Sequence, residues 1–401
     1  MKSNLKYLLL IISIFISAVI ETDIYLPAFT DMMLFFKQSE ENIQRILTWN
    51  FIGLCVAGPI YGPLSDSYGR RKPLLFALIL FFLGSLITLF VDSYELLLLG
   101  RVLQGLGSGG CFTIGTAIIF DVFKEKQAIE ALNKINIIVP FIMASAPLLG
   151  GYLNQRYGFR SNFYAIALCI FTCLSCCFLF LKETLKVGLR PQFNPRIICY
   201  NFLRVFKNLE FIQLTLVISL VFAGFITFIS SIAVLYVIEL GVDKSRFPCY
   251  QFALLIAYLI ASLTCTRIMT KFGIAFVKKL GMLSVIMAST MLIIVSLFFS
   301  KDPVLLTLTM IPYSFGYIWL QTPYVTEVME LIPDIKGIAA SILTSLRLLI
   351  TAGVVASTAR CYNGTIMPIT ISISIVSFVV FFISYGYETN KSRNMNIRPI
   401  A

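Results

Sequence analysis

The chain has 401 residues, of which 58% are apolar and only 13% are charged. A typical soluble domain carries about 25% charged residues, and a chain with a mean hydropathy of +0.88 has more apolar surface than a water-soluble core can cover. The composition therefore predicts a protein embedded in lipid. It excludes a soluble globular protein, an enzyme anchored by one helix and a disordered chain, and it disfavours a β-barrel, whose strands alternate in hydropathy.

The charged and reactive residues narrow the function further. The net charge of +12 would suggest nucleic acid binding in a soluble protein, but here we expect it to reflect basic cytoplasmic loops. The sequence has no histidine, so a proton carrier must be a carboxylate or water. Most of the ten cysteines lie in apolar runs without zinc-ligand spacing, and no nucleotide-binding, zinc-protease or serine-nucleophile motif is present. We therefore predict no enzyme activity, no cofactor and no metal site.

Apolar runs bounded by charged or turn residues predict twelve membrane-spanning helices. They cover residues 7–29, 43–64, 73–92, 95–120, 133–153, 160–181, 210–236, 248–269, 278–299, 303–326, 337–359 and 365–387. The first run is too long for a signal peptide and lacks a cleavage site, so we expect it to be a retained helix. We predict an all-α membrane protein with an N-terminal six-helix bundle (1–181), a basic cytoplasmic linker (182–209), a C-terminal six-helix bundle (210–388) and a cytoplasmic tail (389–401).

The distribution of lysine and arginine predicts the orientation of these helices. With the N-terminus inside, 22 basic residues lie on the inner side of the membrane and 8 on the outer side. This excess predicts that both termini are cytoplasmic. It also accounts for the net charge, so we do not expect nucleic acid as a partner. Within the linker, residues 196–207 suit either a surface helix on anionic lipid or a solvated basic loop.

The loop after the second span reads GPIYGPLSDSYGRRKPLL and resembles the signature loop of the major facilitator superfamily, G-x-x-x-D-x-x-G-R-[RK]. The matching residues are Gly62, Asp66, Gly69, Arg70 and Arg71. We expect the two glycines to allow a tight turn and close helix approach. An ordinary basic loop is the alternative reading.

Charge contacts around this loop are expected to form in one conformation and break in another. Asp66 is expected to cap the helix that begins near Gly337. Arg70 or Arg71 is expected to pair with Asp121 at the inner end of span four. The corresponding loop after span eight keeps Phe272-Gly273 and two lysines but has no acid where Asp66 would be, which is a weak sign of two related halves.

Span four contains GRVLQGLGSGG, which resembles the superfamily motif R-x-x-Q-G-x-G at Arg101, Gln104, Gly105 and Gly107. Its glycines favour close helix packing. Arg101 is expected about 9 Å into the membrane, where an arginine is costly unless it is paired or faces water. We therefore predict a functional role for Arg101.

Span five contains ASAPLLGGYL and partly resembles the antiporter motif G-P-x-x-G-G. Pro147, Gly150 and Gly151 match this motif, while Ala146 replaces its first glycine. A proline inside a helix frees a carbonyl and bends the helix. The resemblance favours export over import, and a generic kinked helix is the alternative.

Span one ends in Asp23-Ile24-Tyr25-Leu26-Pro27-Ala28, which resembles the D-x-Y-L-P-A signature of drug:proton antiporters of the bicyclomycin- and florfenicol-resistance type. Asp23 is expected about 24 Å up a span of about 30 Å, near the depth of Arg101. We predict that a proton and Arg101 compete for Asp23. Glu21, about 200° around the helix, is the second candidate carrier. A helix cap in the outer headgroup region is the alternative reading of Asp23.

Span eleven carries Arg347 about 15 Å deep, near the membrane midplane. No carboxylate is expected at that depth in the second half, so Arg347 must reach the first half, water, backbone carbonyls or an anionic group of the substrate. Tyr25, Gln104, Tyr317 and Gln321 are further candidates for a mixed polar and apolar substrate cavity. For the aromatic residues, packing or lipid contact is the alternative.

The resemblance covers essentially the whole chain and implies two pseudo-symmetric bundles that rock about a central site. It implies proton-coupled efflux of small drug-like compounds from a bacterial inner membrane, by a protein that we expect to be a monomer. Asp23, Glu21 and Arg101 would couple the protons, and the signature loop would form the conformational switch. A metabolite or siderophore carrier remains an alternative because fold does not fix cargo, and a membrane-embedded enzyme or receptor is a further one.

Overall fold

The computed structural model describes residues 2–123, 126–185, 190, 193–243, 246–332 and 335–397. It confirms the all-α fold. The helices are α1 (Lys2–Asp23), α2 (Phe29–Phe36), α3 (Glu40–Tyr68), α4 (Arg71–Phe90), α5 (Tyr94–Val122), α6 (Lys126–Tyr157), α7 (Arg160–Phe180), α8 (Pro195–Phe206), α9 (Leu209–Val234), α10 (Phe247–Phe272), α11 (Ile274–Phe298), α12 (Pro303–Leu331), α13 (Lys336–Cys361) and α14 (Met367–Ile397).

The membrane-spanning helices follow from the apolar runs. Within the described residues, eleven helical segments are long and apolar enough to cross a membrane. The remaining predicted span, 133–153, lies inside the 32-residue helix α6, which packs between helices of both halves of the molecule. The protein is therefore a multi-pass membrane protein of the predicted kind.

The first span differs from the prediction because its helix is broken. α1 ends at Asp23, a short 3₁₀ turn covers Leu26–Ala28, and α2 carries the same apolar crossing on to Phe36. Pro27 contributes to the break because it lacks an N–H group and has a fixed φ angle. The predicted end at residue 29 was therefore wrong, and Asp23 lies well inside the crossing, not in the outer headgroup region.

The two halves of the molecule, α1–α7 and α9–α14, meet mainly along two pairs of helices, and α9 also contacts α2, α3 and the 3₁₀ turn before α2. α3 packs against α13, and α6 packs against α10. Within the first half, α3, α4 and α5 pack closely because α5 carries glycines where its neighbours approach. A Cβ atom at Gly105 would overlap the carbonyl oxygen of Asn50, and one at Gly107 would overlap Phe81. The close packing predicted from these glycines is confirmed.

The linker contains a short helix, and the last helix is longer than predicted. α8 begins after Asn194, whose side chain accepts the backbone N–H groups of Arg196 (3.0 Å) and Ile197 (3.3 Å). This helix contacts α13 and α9 while Tyr200 and Leu203 remain exposed, as expected of a surface helix. α14 continues past residue 388 to Ile397, through most of the segment that was predicted to be a separate tail.

Candidate functional site

An ion pair between Arg101 and Glu21 lies at the centre of the first half. Arg101 Nη1 is 2.8 Å from Glu21 Oε2, and neither side chain has any exposed surface. The same guanidinium donates to Gln104 Oε1 at 2.6 Å and to the Tyr25 hydroxyl at 2.8 Å, and it stacks over the Tyr25 ring at 4.3 Å. Burying two charges in lipid is costly unless they are paired and hydrogen-bonded, and this geometry meets that condition.

Neutral polar side chains on the surrounding helices complete this network. Asn50 Nδ2 donates to Glu21 Oε1 at 3.0 Å, and the Ser108 hydroxyl donates to the same oxygen at 3.3 Å. Gln104 Nε2 in turn donates to the hydroxyls of Ser85 (2.9 Å) and Thr88 (3.3 Å). Sequence reasoning missed these four residues. In the sequence these residues differ from their neighbours only in being polar residues within apolar helices. Polarity alone does not predict which other side chain a residue contacts.

The predicted pairing of Arg101 with Asp23 is wrong. Residues two apart on a helix point about 200° from each other, and it is Glu21 whose direction faces Arg101. Tyr25 and Gln104 were predicted as cavity residues, yet both are fully buried in the Arg101 network. The network therefore acts as an internal scaffold of the first half in this conformation.

Asp23 lies at the break in the first span. Unlike Glu21, it takes no part in the hydrogen-bond network around Arg101. Its side chain is almost entirely buried, and its Oδ2 atom has no hydrogen-bond partner. The short turn that follows it packs against α9 of the second half. A broken helix with an ionisable residue at the interface of two repeats is a common setting for binding sites in transporters.

The antiporter-like motif in α6 packs directly against this break. A Cβ atom at Gly150 would overlap the carbonyl oxygen of Ile24, the residue that follows Asp23. A Cβ atom at Gly151 would overlap the Pro248 ring at the start of α10, in the other half. Pro147 is buried in the same helix. The motif thus connects the helix break to the contact between the halves.

In the second half, Arg347 lies against an aromatic wall. Its guanidinium is 5.0 Å from the Phe222 ring, whose centroid is in turn 5.6 Å from that of Tyr317. Its Nε atom is buried without a hydrogen-bond partner. Gln321, on the same helix as Tyr317, also has a buried carbonyl oxygen without a partner. Three of the predicted cavity and coupling residues, Asp23, Gln321 and Arg347, therefore each have a buried polar atom without a hydrogen-bond partner. Tyr317 is buried in the aromatic wall.

The signature loop forms a charge network at the end of the bundle that carries the linker, here called the linker face. Arg70 Nε donates to Asp121 Oδ2 at 2.9 Å, and Arg70 Nη1 donates to Asp66 Oδ1 at 2.5 Å. The structure thus selects Arg70 as the partner of Asp121. Arg71 instead donates to the Phe178 carbonyl at 3.0 Å.

Two expectations for this loop are corrected. Asp66 binds Arg70, and α13 starts without a side-chain cap, so the predicted capping of the helix near Gly337 is not present. A Cβ atom at Gly62 would meet nothing within 4 Å, so close packing does not explain that glycine in this conformation. Gly69 is explained, because its φ angle of 90° belongs to a region that favours glycine.

Glu183, at the start of the linker, is a member of this network that sequence reasoning did not identify. Its carboxylate accepts the backbone N–H groups of Arg70 (2.8 Å) and Arg71 (3.3 Å) at the start of α4. Partial burial by itself would raise the pKa of Glu183, but these backbone donors and the nearby Arg190 outweigh it and hold the pKa below its usual value. The linker is therefore fastened to the signature loop.

The second half carries its own buried charge cluster at the linker face. Lys278 Nζ lies 2.7 Å from both Glu327 and Glu388, and Lys391 lies 3.1 Å from Glu327. The preceding turn at Gly273 has φ 87° and ψ 162°, close to the 90° and 165° of Gly69. The second loop copy therefore keeps its turn, while its acids come from α12 and α14. Sequence reasoning missed both glutamates as partners because each lies far along the chain from Lys278.

Contacts between the halves are also present at the opposite end of the molecule, here called the distal face. Gln44 Nε2 is 3.4 Å from the Ser231 hydroxyl, and Arg360 Nε is 3.6 Å from Glu41 Oε1. Nearer the middle, the Ser345 hydroxyl donates to the Cys55 carbonyl at 2.6 Å. Together with the Gly151 contact, these interactions join the two halves on the distal side of the molecule.

Several proteins of known type resemble this chain. It is 24% identical to a bicyclomycin resistance protein homolog from Haemophilus influenzae over 94% of both chains. It is also 24% identical to the multidrug resistance protein MdtL from Shewanella sp. strain ANA-3 over 62% of both chains.

Solved structures share the fold. The xylose transporter XylE from E. coli, in a partially occluded inward-open conformation, matches with a TM-score of 0.74 and 13% identity, covering 96% of this chain and 97% of the other. The human organic anion transporter MFSD10 matches with a TM-score of 0.69 and 16% identity, covering 96% of this chain and 99% of the other.

The sequence profile of the Major Facilitator Superfamily matches residues 10–355, which is most of the chain. The helical fold, the signature-loop network and the two transporter structures agree with that match. The chain therefore belongs to the major facilitator superfamily and is a membrane transporter with multidrug-resistance relatives.

Proposed function

We propose that this protein exports small drug-like organic compounds across a bacterial inner membrane in exchange for protons, by alternating access. The linker face is cytoplasmic in this proposal, and the two six-helix halves rock about the site between Asp23 and Arg347. The relatives named for bicyclomycin and multidrug resistance support the cargo class. The observation that carries the proposal is the buried, incompletely bonded carboxyl of Asp23 at the break in the first span.

Asp23 carries the proton in this mechanism. An ionised carboxylate buried without a partner is costly, so Asp23 needs either a proton or a cationic group beside it. A substrate that supplies the cation makes the proton unnecessary, and the two then occupy the site in turn. Competition of this kind is the simplest physical basis for exchange.

Glu21 and Arg101 support the site without exchanging protons. Both oxygens of Glu21 already accept hydrogen bonds from Arg101, Asn50 or Ser108, and the residue has no exposed surface. The pair holds the last turn of α1 against α5 and so fixes where α1 breaks. Glu21 thus acts as a positioning residue, and Asp23 remains the proton carrier.

The networks at the linker face control the conformation. Contacts join the two halves at the distal face in this structure, which supports assigning it to an inward-facing state in this mechanism. When the halves rock, the backbone around Gly69 must move with α3 and α4, and the bonds from Arg70 to Asp66 and Asp121 are the contacts that can exchange. Glu183 transmits this movement to the linker through the start of α4.

Proton release from inverted membrane vesicles tests this function. Vesicles with an imposed proton gradient are given phenicols, cationic dyes, and anionic and zwitterionic compounds while a pH-sensitive dye reports the interior. The variants are Asp23→Asn, Glu21→Gln and the control Asp92→Asn, whose carboxylate is largely exposed and lies outside the site.

We expect at least one compound to release protons with the wild type and with Asp92→Asn, and no release with Asp23→Asn. Release that persists in Asp23→Asn but disappears in Glu21→Gln would move proton coupling to the Arg101 network and contradict the proposed carrier. If none of these compounds releases protons from vesicles that contain folded protein, this result would contradict drug:proton exchange and favour a metabolite or siderophore carrier.

A further inference from the structure

We propose that the central site selects aromatic zwitterions, with Arg347 binding the anionic group of the substrate and Asp23 binding its cationic group. This inference rests on the proposed function, because it assigns the substrate class of the same site. It goes further by giving the second half of the protein a defined chemical role. The substrate then bridges the two halves, because it pairs with Asp23 in the first half and with Arg347 in the second.

The first observation is that Arg347 lacks the partner that the other buried cations have. Arg101, Arg70 and Lys278 each have a carboxylate oxygen within 2.9 Å. For Arg347, no carboxylate in the described part of the chain lies within ion-pair distance of the guanidinium, and its Nε atom is buried without a partner. An arginine deep in a membrane protein requires pairing or access to water, and Arg347 is only half-buried, so an external anion can serve as its partner.

The second observation is the position of Arg347 relative to Asp23. Asp23 belongs to the first half, and the helix break that follows it packs against α9 of the second half. Arg347 belongs to the second half and lies against Phe222, a residue of the same helix α9. The two ionisable side chains are therefore both near α9, at the interface that alternating access opens and closes. A molecule that reaches both must carry a cation towards α1 and an anion towards α13.

The third observation is the aromatic cluster beside Arg347. The Tyr317 ring stacks on Phe225 (centroids 5.7 Å apart, 18° between planes) and on Tyr258 (5.8 Å, 29°). Phe222 contacts Tyr317 at 5.6 Å and lies under the Arg347 guanidinium. Tyr317 and Phe225 are buried, whereas Phe222 and Tyr258 are half-buried and keep aromatic surface that a flat molecule can contact. The buried amide oxygen of Gln321 offers a hydrogen-bond acceptor beside them.

Zwitterion binding is also consistent with exchange. A purely anionic substrate would be repelled by ionised Asp23 and would favour its protonated form, which is the opposite of competition with the proton. A cationic group on the substrate replaces the proton at Asp23, while the anionic group anchors the molecule at Arg347. The cationic group therefore couples substrate binding to proton release, and the anionic group provides substrate specificity.

The experiment uses one aromatic scaffold in three charge forms. Norfloxacin carries a carboxylate and a piperazinium at opposite ends of a fused ring near neutral pH. Its ethyl ester keeps only the cation, and its N-acetyl derivative keeps only the anion. Binding of each to the purified full-length protein in detergent is measured by the fluorescence of the quinolone, for the wild type, Arg347→Gln and Asp23→Asn.

We expect the wild type to bind norfloxacin about tenfold or more tightly than either derivative, because each derivative lacks one of the two charged contacts; tenfold corresponds to about 1.4 kcal/mol. Arg347→Gln should bring norfloxacin to the affinity of the ester and leave the ester unchanged. Asp23→Asn should bring norfloxacin to the affinity of the N-acetyl derivative. Arg267→Gln, at an exposed arginine of α10 outside the site, should change none of the three affinities.

Equal affinities for the three compounds in the wild type, or no binding of any, would overturn the inference without reference to any variant. An unchanged preference for norfloxacin over its ester in Arg347→Gln would also overturn it. If Arg347→Gln does not fold, Arg347→Lys replaces it. The lysine keeps the charge but not the planar pair of donors, so a preference at least threefold weaker supports the inference and an unchanged one contradicts it.

The outcomes separate this inference from the proposed exchange. Charge-selective binding through Arg347 and Asp23 without proton release would leave the inference standing and contradict drug:proton exchange. Proton release that the ester drives as well as norfloxacin, and that Arg347→Gln leaves unchanged, would leave the exchange standing and contradict the inference.

Discussion

The buried pair of Arg101 and Glu21 gives the sharpest prediction about stability. Arg101→Met removes hydrogen bonds to Glu21, Gln104 and Tyr25, all of which have no exposed surface. Glu21 would then keep its charge with only Asn50 and Ser108 as donors. Breaking a buried ion pair on one side costs about 3–5 kcal/mol, since the remaining charge stays buried without compensation.

The double variant distinguishes this cause from simple loss of packing. Glu21→Gln alone leaves the Arg101 guanidinium unpaired and is expected to cost a similar amount. Together, Arg101→Met and Glu21→Gln leave no buried charge, so the double variant should be more stable than either single variant. Residues in direct contact show such non-additivity, whereas independent sites add within about 0.5 kcal/mol.

The assay is thermal unfolding of the purified variants in one detergent, followed by tryptophan fluorescence. Membrane proteins of this size often unfold irreversibly, so melting temperatures at one scan rate are compared. We expect both single variants to melt well below the wild type and the double variant to melt above both. A double variant that melts at or below the less stable single variant would show that the pair is not the source of the loss.

Three further predictions concern other parts of the structure. Gly150→Ala places a methyl group on the Ile24 carbonyl, which as backbone cannot easily move, so vesicle transport should fall at least tenfold while the protein still inserts in the membrane; unchanged transport would contradict the role of the helix break. Because the folded-state pKa of Glu183 lies below its ordinary value of about 4.3, its stabilisation is full above that value and disappears as the pH falls through the folded-state pKa. The melting-temperature difference between wild type and Glu183→Gln should therefore be constant above about pH 5 and shrink towards zero at lower pH, and a constant difference down to pH 3 would refute this. Lys278→Met leaves the Glu327 carboxylate buried with weaker compensation and should lower the melting temperature, whereas Lys279→Met, its neighbour in sequence, should not; equal effects would contradict the cluster.

Local features of the sequence were enough to predict much of the fold. A helix must have about 20 apolar residues to cross a bilayer, so run lengths alone located the membrane-spanning helices, and the signature loop and the glycine-rich stretch of α5 identified the family. The predictions were weaker where a helix breaks inside the membrane. The apolar run at the first span continues through the break after Asp23, and hydropathy does not register such a break.

Only the tertiary structure decided which charges pair. The positions of Asp23 and Arg101 along their helices predicted a similar depth in the membrane for both residues. However, the direction of each side chain around its helix makes Glu21 the partner of Arg101. Glu183 reaches Arg70 across 113 positions of sequence, and no local pattern encodes a contact of that range. By itself, the sequence determined that the protein is embedded in lipid, how many spans to expect and which family it belongs to. These properties depend on composition and short motifs. The structure decided which carboxylate and which arginine stay incompletely paired at the centre, because pairing depends on how distant helices face each other.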